Sequence, residues 1–518
     1  MTGRISPLRH ALFALTWIAI PASLLAQEPV LTYRVDLNDR TEDLFDVSLE
    51  ISGLTEENAI YQFVSTAPGT YQIMDIGRYV RDFQVFDDRG EEIPAEQIST
   101  NQWRISDAAG ARLIRYRIAE TWDTPVEEHP VYVMAGTSIE ADHVLINPHA
   151  VFGYPTGLQD AALKLFLEYP EEWTVGTALD RDEDGAFLAD DYDHFVDSPV
   201  LLGRLSTARL EVTGVPVEIF VYSASDSMSA DQLLGAMRNM LEAAGEFLGQ
   251  LPVDRYTFLY HFENKPQMIQ GAWEHSFSSE YVFHDFPYSD HAGSFLTDIA
   301  AHEFFHVVTP LNIHSEIIEH FNFVTPVPSQ HLWLYEGTTE WAAHTMQLRT
   351  GLKDLETYLA KVIEKMQRDA AFDPEYTLTD LALTSYTDEG QRQYANIYER
   401  GALVAGLLDI RLLELSNGTR GLQNVIRELM QMYGTDNAFP ENEFFAVLTE
   451  MTYPEIGDFF GRYVRSAEQL PIREYFEKLG IHLIEDENGQ PVRFEVDPNP
   501  TPHQLRLRTA WLALEPAA

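Results

Sequence analysis

The stretch AHEFFHVVTP, residues 301–310, sets two histidines four positions apart, with a glutamate directly after the first. An α-helix advances about 100° per residue, so His302 and His306 lie about 40° apart on one face and one turn from each other. Two imidazoles so arranged can hold one Zn2+ ion at about 2.0–2.1 Å each. Glu303 lies about 100° round from His302. It is badly placed as a third ligand and well placed to take a proton from a water beside the ion. The bland alternative is two polar residues on an ordinary buried helix. Phe304, Phe305, Val307 and Val308 can bury such a site, and Thr309-Pro310 ends the helix.

A metal site needs a further ligand, and HLWLYEGTTEW, residues 331–341, offers Glu336 among Leu332, Trp333, Leu334 and Trp341. A carboxylate buried in that setting is costly without a cation beside it. His302, His306 and Glu336 leave a fourth position open, which is the arrangement of catalytic rather than structural zinc. Glu340 lies one turn on and can accept the free N–H of a ligand histidine. Its alternative is an exposed helix glutamate. Cobalt or manganese suits the same ligands.

The whole chain bounds what this site can serve. It has 518 residues, 45% of them hydrophobic, enough for two or three domains with cores of their own. Against 81 acidic residues stand 35 basic ones, a net charge of −46, which disfavours nucleic acid and anionic lipid as partners. With no cysteine, disulfides, thiolate ligands and thiol nucleophiles are excluded. At the start, Arg4 and Arg9 precede an apolar run from Ala11 to Leu25, and Ala26 suits cleavage. Residues 1–26 therefore read as a bacterial-type signal peptide, giving a periplasmic or secreted protein with no membrane span after cleavage.

Period-two patterns follow. Leu31, Tyr33, Val35 and Leu37 alternate with polar residues, as do Phe45, Val47, Leu49 and Ile51, and later Ile114, Tyr116 and Ile118. They predict a β-rich, sandwich-like domain reaching to about Arg204. Within it, Asp180, Asp182, Asp184 and Gly185 match the opening of a calcium loop, although Asp191 at the twelfth position lacks the reach of glutamate. A Ca2+ site there is the alternative to a simpler reading, an acidic hairpin turn. Ala230 to Leu248 predict an amphipathic helix, residues 256–262 a strand, and residues 401–415 a helix buried all round. Asn488-Gly489 marks a late hairpin.

These segments together resemble the M61 family of zinc aminopeptidases, the glycyl aminopeptidases, which are related to the M1 aminopeptidases. AHEFFH and WLYEGTTEW are similar to that family's two zinc segments, GAWEHSFSSEY (271–281) to the segment before them, and IYERGALVAGLLD (397–409) to a tyrosine segment after them. APGTYQIMDIGRYV (67–80) and DYDHFVDSPV (191–200) resemble its N-terminal signatures.

The resemblance implies an α+β multidomain protein: a β-sandwich-like domain over 27–205, a thermolysin-like zinc domain over 206–350, a helical domain over 351–485 and a hairpin or tail over 486–518. It implies removal of N-terminal residues, often Gly or Ala, from peptides with a free N-terminus. Glu274 falls at the position that holds the substrate's α-ammonium group, with Gly271 and Ala272 letting the substrate backbone approach. Tyr398 falls at the position of the catalytic tyrosine. His275 can point either way, since strand neighbours alternate. Two departures stand out: Trp273 replaces the usual Met, and only 38 residues follow Gly480, too few for the family's C-terminal PDZ domain. The rival readings are a zinc endopeptidase and a secreted, inactive peptide-binding protein.

Overall fold

The structure is a computed structural model that describes residues 30–514 except 127, 265–269 and 436. The signal-peptide reading of residues 1–26 lies outside the described residues. No helix among them is long and apolar enough to cross a membrane.

The N-terminal half is β-rich, as its alternation predicts. Leu31–Asp36 lies antiparallel to Leu44–Glu50, with Tyr33 opposite Leu49, and parallel to Leu163–Glu168 in an eight-stranded sheet. Two four-stranded sheets accompany it, one built on Ile60–Gln62 and Gln102–Ile105, the other on His143–Ile146 and Val200–Gly203. The period-two apolar residues fill one core, where Tyr33, Phe45, Tyr61, Ile114 and Phe152 are fully buried.

The acidic segment 180–191 is a hairpin turn. Asp182 Oδ1 accepts from the Asp184 and Ala186 amides, and Oδ2 accepts from Lys164 Nζ at 2.9 Å. Asp180 pairs with Arg255 instead of turning inward with Asp182 and Asp184. Asp182 is taken up by the turn and by Lys164, and Asp180 by Arg255; among the described residues these carboxylates do not come together as a metal-ligand group.

A five-stranded sheet follows, ordered Ser206–Val212, Val215–Ser223, Tyr256–Glu263, Ser278–His284 and, at the edge, Gly271–His275. The parallel strand Tyr256–Glu263 is buried on both faces, which explains its unbroken apolar character. Tyr256, Phe258, Tyr260 and Phe262 face the helices Ala230–Leu248 and Asp290–Phe305. Leu259 and Val282 face the other way and join Leu145 and Leu201 in a seam with the N-terminal half.

Residues from 339 onward are mainly helical. The helix Asn396–Leu415 is buried, and its Asp409 accepts from Arg349 at 2.6 Å with both side chains out of solvent. The late hairpin begins at Ile481, inside the segment assigned to the helical domain, and a helix, Pro502–Leu512, follows it. Leu507 and Trp511 of that helix are buried in the helical core, so residues 486–518 are more than a tail.

Candidate active site

The two histidines close the helix Asp290–Phe305, whose start is capped by Ser289 accepting from the Ala292 amide. His302 occupies the last turn and His306 is the residue that caps it. Each ring has its Nδ1 committed. His302 Nδ1–H donates to Glu340 Oε2 at 2.8 Å, and His306 Nδ1–H donates to the Thr309 carbonyl at 3.0 Å. Both Nε2 atoms are therefore lone pairs. They lie 3.2 Å apart.

The third group arrives on a widened turn. Trp333–Thr338 is π-helical before Thr339–Arg349 resumes α-helix, where a regular helix was expected. Glu336 Oε2 lies 3.3 Å from His302 Nε2 and 3.5 Å from His306 Nε2. With both rings neutral, three acceptors converge with no donor between them, a set that a proton on His302 or a metal cation would satisfy. Ligands about 2.1 Å from one ion at tetrahedral angles stand about 3.4 Å apart, so this triangle fits a divalent metal.

The π turn is positioned by a contact between two glycines. A Cβ on Gly337 would meet the Gly401 Cα at 2.6 Å, so the turn carrying Glu336 touches the helix carrying Tyr398 backbone to backbone. Glu340 is tied in on its other side. Its Oε1 accepts from His344 Nε2 at 3.0 Å and from Lys365 Nζ at 2.6 Å, and Lys365 also donates to the Tyr398 carbonyl at 3.1 Å. Lys365 joins the site without a signal in the sequence: it lies on a separate amphipathic helix, Leu355–Asp369, and reads as one of its solvated residues.

Glu274, Glu303 and His306 bring ligand-type atoms within 4.8 Å of one another, so the strand glutamate reaches the same cleft. The cleft has a volume of about 100 Å³, and its walls include Ala272, Glu274, Glu303 and Tyr398 with Thr70 and Tyr132 of the N-terminal half. The Tyr398 ring lies 5.5 Å from that of His302. Gly271 does not line it. Strand alternation turns Gly271 to the opposite face from Glu274, where a Cβ would strike Met134 Cε at 2.5 Å. The small residue there accommodates Met134. His275 shares that face and donates its Nδ1–H to Asp197 Oδ1, 3.0 Å away, outside the cleft. Trp273 is buried against His149 and His275 in the N-terminal core while its edge borders the cleft.

The loop at 69–71, quoted above only as a signature, forms part of the wall. A Cβ on Gly69 would stand 2.8 Å from Glu274 Oε1. Gln391 fixes the loop by donating to the Tyr71 carbonyl at 2.9 Å. Spacing in the sequence carries no mark of this contact, which joins residues hundreds of positions apart.

Burial dominates the electrostatics of the metal-free chain. It pushes the Glu303 carboxyl up to about 7, helped by Glu336 and Glu340 and opposed by His302. It pushes His306 down to about 4. Burial also opposes charge on His302, but hydrogen bonds to Glu336 and Glu340 outweigh it and raise the imidazole well above its ordinary range. Glu340 feels the same burial, yet His344 and Lys365 hold it well below the usual carboxylate range. The Tyr398 phenol is pushed well up by burial and by Glu336, which keeps it a hydrogen-bond donor.

Comparison with known proteins agrees with this geometry. The sequence matches the M61 N-terminal domain over residues 32–204 and the M61 glycyl aminopeptidase domain over residues 296–404. No curated protein matches the chain. Among solved structures, an aminopeptidase N family protein from Idiomarina loihiensis is similar, with a TM-score of 0.77 at 22% identity over 89% of this chain and 81% of that one. A mutant two-domain M1 zinc metallopeptidase bound to L-tryptophan superposes with a TM-score of 0.53 at 12% identity, over 86% and 96% of the two chains. The leukotriene A4 hydrolase of Saccharomyces cerevisiae gives 0.52 at 13%, over 87% and 70%. These structures share the fold. The M61 matches bracket the site on both sides, one supplying the loop against Glu274 and the other all three converging ligand groups with Glu303 and Tyr398, and on that ground the chain belongs to the M61 family of metallopeptidases.

Proposed function

We propose that the cleft is the active site of an exported zinc aminopeptidase that removes N-terminal residues, small ones such as Gly and Ala among them, from peptides with a free N-terminus. The observation that carries this reading is the burial of Glu274 beside two further buried carboxylates, Glu303 and Glu336. Three carboxylates share one pocket, and Glu340 beyond them is already matched by Lys365 and His344. A divalent ion and a single ammonium group together balance the three. The walls contributed by Thr70 and Tyr132 limit the room beyond Glu274 for further peptide, which favours an exopeptidase over an endopeptidase.

His302, His306 and Glu336 would hold the zinc, with Glu340 and the Thr309 carbonyl fixing the two rings. When bound, the ion supplies Lewis-acid polarisation and lowers the energy of a nucleophile at neutral pH. Glu303, directly after the ligand His302, takes a proton from the attacking water and returns it to the leaving amine. Tyr398 donates a hydrogen bond to the oxygen on which negative charge develops. Glu274 accepts a charge-assisted hydrogen bond from the substrate's ammonium and sets where the chain begins.

The test is a pair of peptides differing only in N-terminal acetylation. Cleavage of the free peptide alone is expected; equal rates on both would replace this reading with an endopeptidase. Export rests on the basic and apolar pattern of residues 1–26, and N-terminal sequencing of the mature protein checks it.

A further inference from the structure

The face of the five-stranded sheet turned away from the proposed catalytic helix carries another convergence of ligand-type groups. His143 begins the strand His143–Ile146 of the N-terminal half, while His261 and Glu263 lie two apart on Tyr256–Glu263 and so share one face. One ligand atom from each of the three falls within 4.8 Å of the others. His143 is 1% exposed and His261 0%.

The tautomer of His143 is settled by its neighbour. Asp142 Oδ1 lies 3.0 Å from His143 Nδ1, and a carboxylate only accepts, so Nδ1 carries the proton and Nε2 is a lone pair. That Nε2 is fully buried and has no hydrogen-bond partner among the described residues. It faces Glu263 Oε2 at 3.5 Å, acceptor against acceptor. His143 Nε2 and Glu263 Oε2 thus meet as two acceptors, at the spacing of two ligands on one tetrahedral ion, about 3.4 Å.

The surroundings are built to hold these groups still. Tyr222 stacks on His143 at 3.7 Å and Trp122 on His261 at 4.9 Å, which fixes both ring planes. Tyr222 also donates to Asp142 at 3.3 Å, completing a carboxylate–imidazole arrangement of the kind that orients metal ligands. Glu263 Oε1 accepts from the Asn264 amide at 2.6 Å, leaving Oε2 turned toward His143. The Glu263 side chain keeps 15% exposure, which gives an ion its way in. No step of the proposed hydrolysis uses any of these residues.

We propose that His143 Nε2, a ring nitrogen of His261 and the Glu263 carboxylate bind a second divalent cation of the zinc type, with Asp142 as the positioning residue. Two ligands come from the five-stranded sheet and one from the N-terminal half, so the ion pins the seam between them. An imidazole–imidazole–carboxylate set selects zinc or cobalt over calcium or magnesium.

The experiment uses the full chain with His302→Ala and His306→Ala, which removes the other candidate site. Equilibrium dialysis against Zn2+ alone, then elemental analysis, is expected to show one bound equivalent, and Co2+ in its place should give the visible absorption of a low-symmetry bound ion. Adding Glu263→Gln should weaken binding at least ~10-fold, and Asp142→Asn ~10–100-fold. Zn2+ should raise the melting temperature of the double variant and not that of the triple one. If the double variant folds poorly, the wild-type chain serves: two equivalents of Zn2+ should fall to one on Glu263→Gln. Absence of bound Zn2+ in the folded double variant, or a stoichiometry and affinity untouched by Glu263→Gln, would overturn the proposal.

Discussion

The two ends of the cleft are built on different principles. At the metal end, His302, Glu303 and His306 belong to one stretch of backbone, and Glu336 arrives on a later π-helical turn. Their mutual geometry is set by helical rise and by one glycine contact. At the other end, Glu274 projects from an edge strand and is pressed by a loop from the N-terminal half near Gly69, with Thr70, Tyr132 and Met134 completing the wall. The first end is assembled by local periodicity, and the second exists only once two halves of the chain have packed. Under the proposed function, the chemistry of peptide hydrolysis falls to the local end and discrimination between substrates to the composite end.

Substitutions at the local end should therefore strike turnover for every substrate. Glu303→Gln is expected to lose ~10²–10⁴ in kcat while retaining its metal, read by steady-state kinetics alongside elemental analysis. Turnover left intact would remove Glu303 as the base. Tyr398→Phe should follow with a loss of ~10²–10³ in kcat and little change in KM, because its hydrogen bond strengthens only as charge develops. A change confined to KM would reassign the tyrosine to ground-state binding.

At the composite end the expected signature differs in kind. Glu274→Gln keeps the shape and loses the charge, so kcat/KM for free peptides should fall by ~10–10², the worth of a charge-assisted hydrogen bond. The acetylated peptide should be unaffected or improved, narrowing the discrimination between the two. If Glu274→Gln instead lowered both substrates equally, the contrast between the two ends would fail.

The same contrast explains what the sequence could reveal. The amphipathic helix Ala230–Leu248, the paired histidines and Glu336 are visible because spacing along one segment encodes them. The alternation in Leu31–Asp36 is visible for the same reason. The packing of Met134 against Gly271 was not visible, because Met134 lies on a distant loop and a single glycine does not announce which strand face it occupies. The π turn under Glu336 went unseen since its widening depends on Gly401, 64 positions beyond Gly337. The helix Pro502–Leu512 was hidden by an apolar pattern with no single face, although Thr501 and Gln504 form a capping box at its start.

Lys365 offers the finest probe of how far the local end extends. Its ammonium touches no ligand atom. It holds Glu340, which orients His302, and it holds the carbonyl of Tyr398, so one cation ties the metal end to the oxyanion end. Lys365→Met preserves the buried aliphatic stem and removes the charge, leaving His302 and His344 as the partners of Glu340. The expected outcome is a loss of about tenfold in metal affinity, measured by competition with a chromophoric chelator, the weaker end of what outer partners contribute. At saturating metal, kcat should recover most of its value while the melting temperature stays lowered, since a buried carboxylate has lost one of its counter-charges. Affinity unchanged together with a lowered kcat would mean that Lys365 acts through Tyr398 rather than through Glu340, and the metal end would then stop at His302 and its carboxylate.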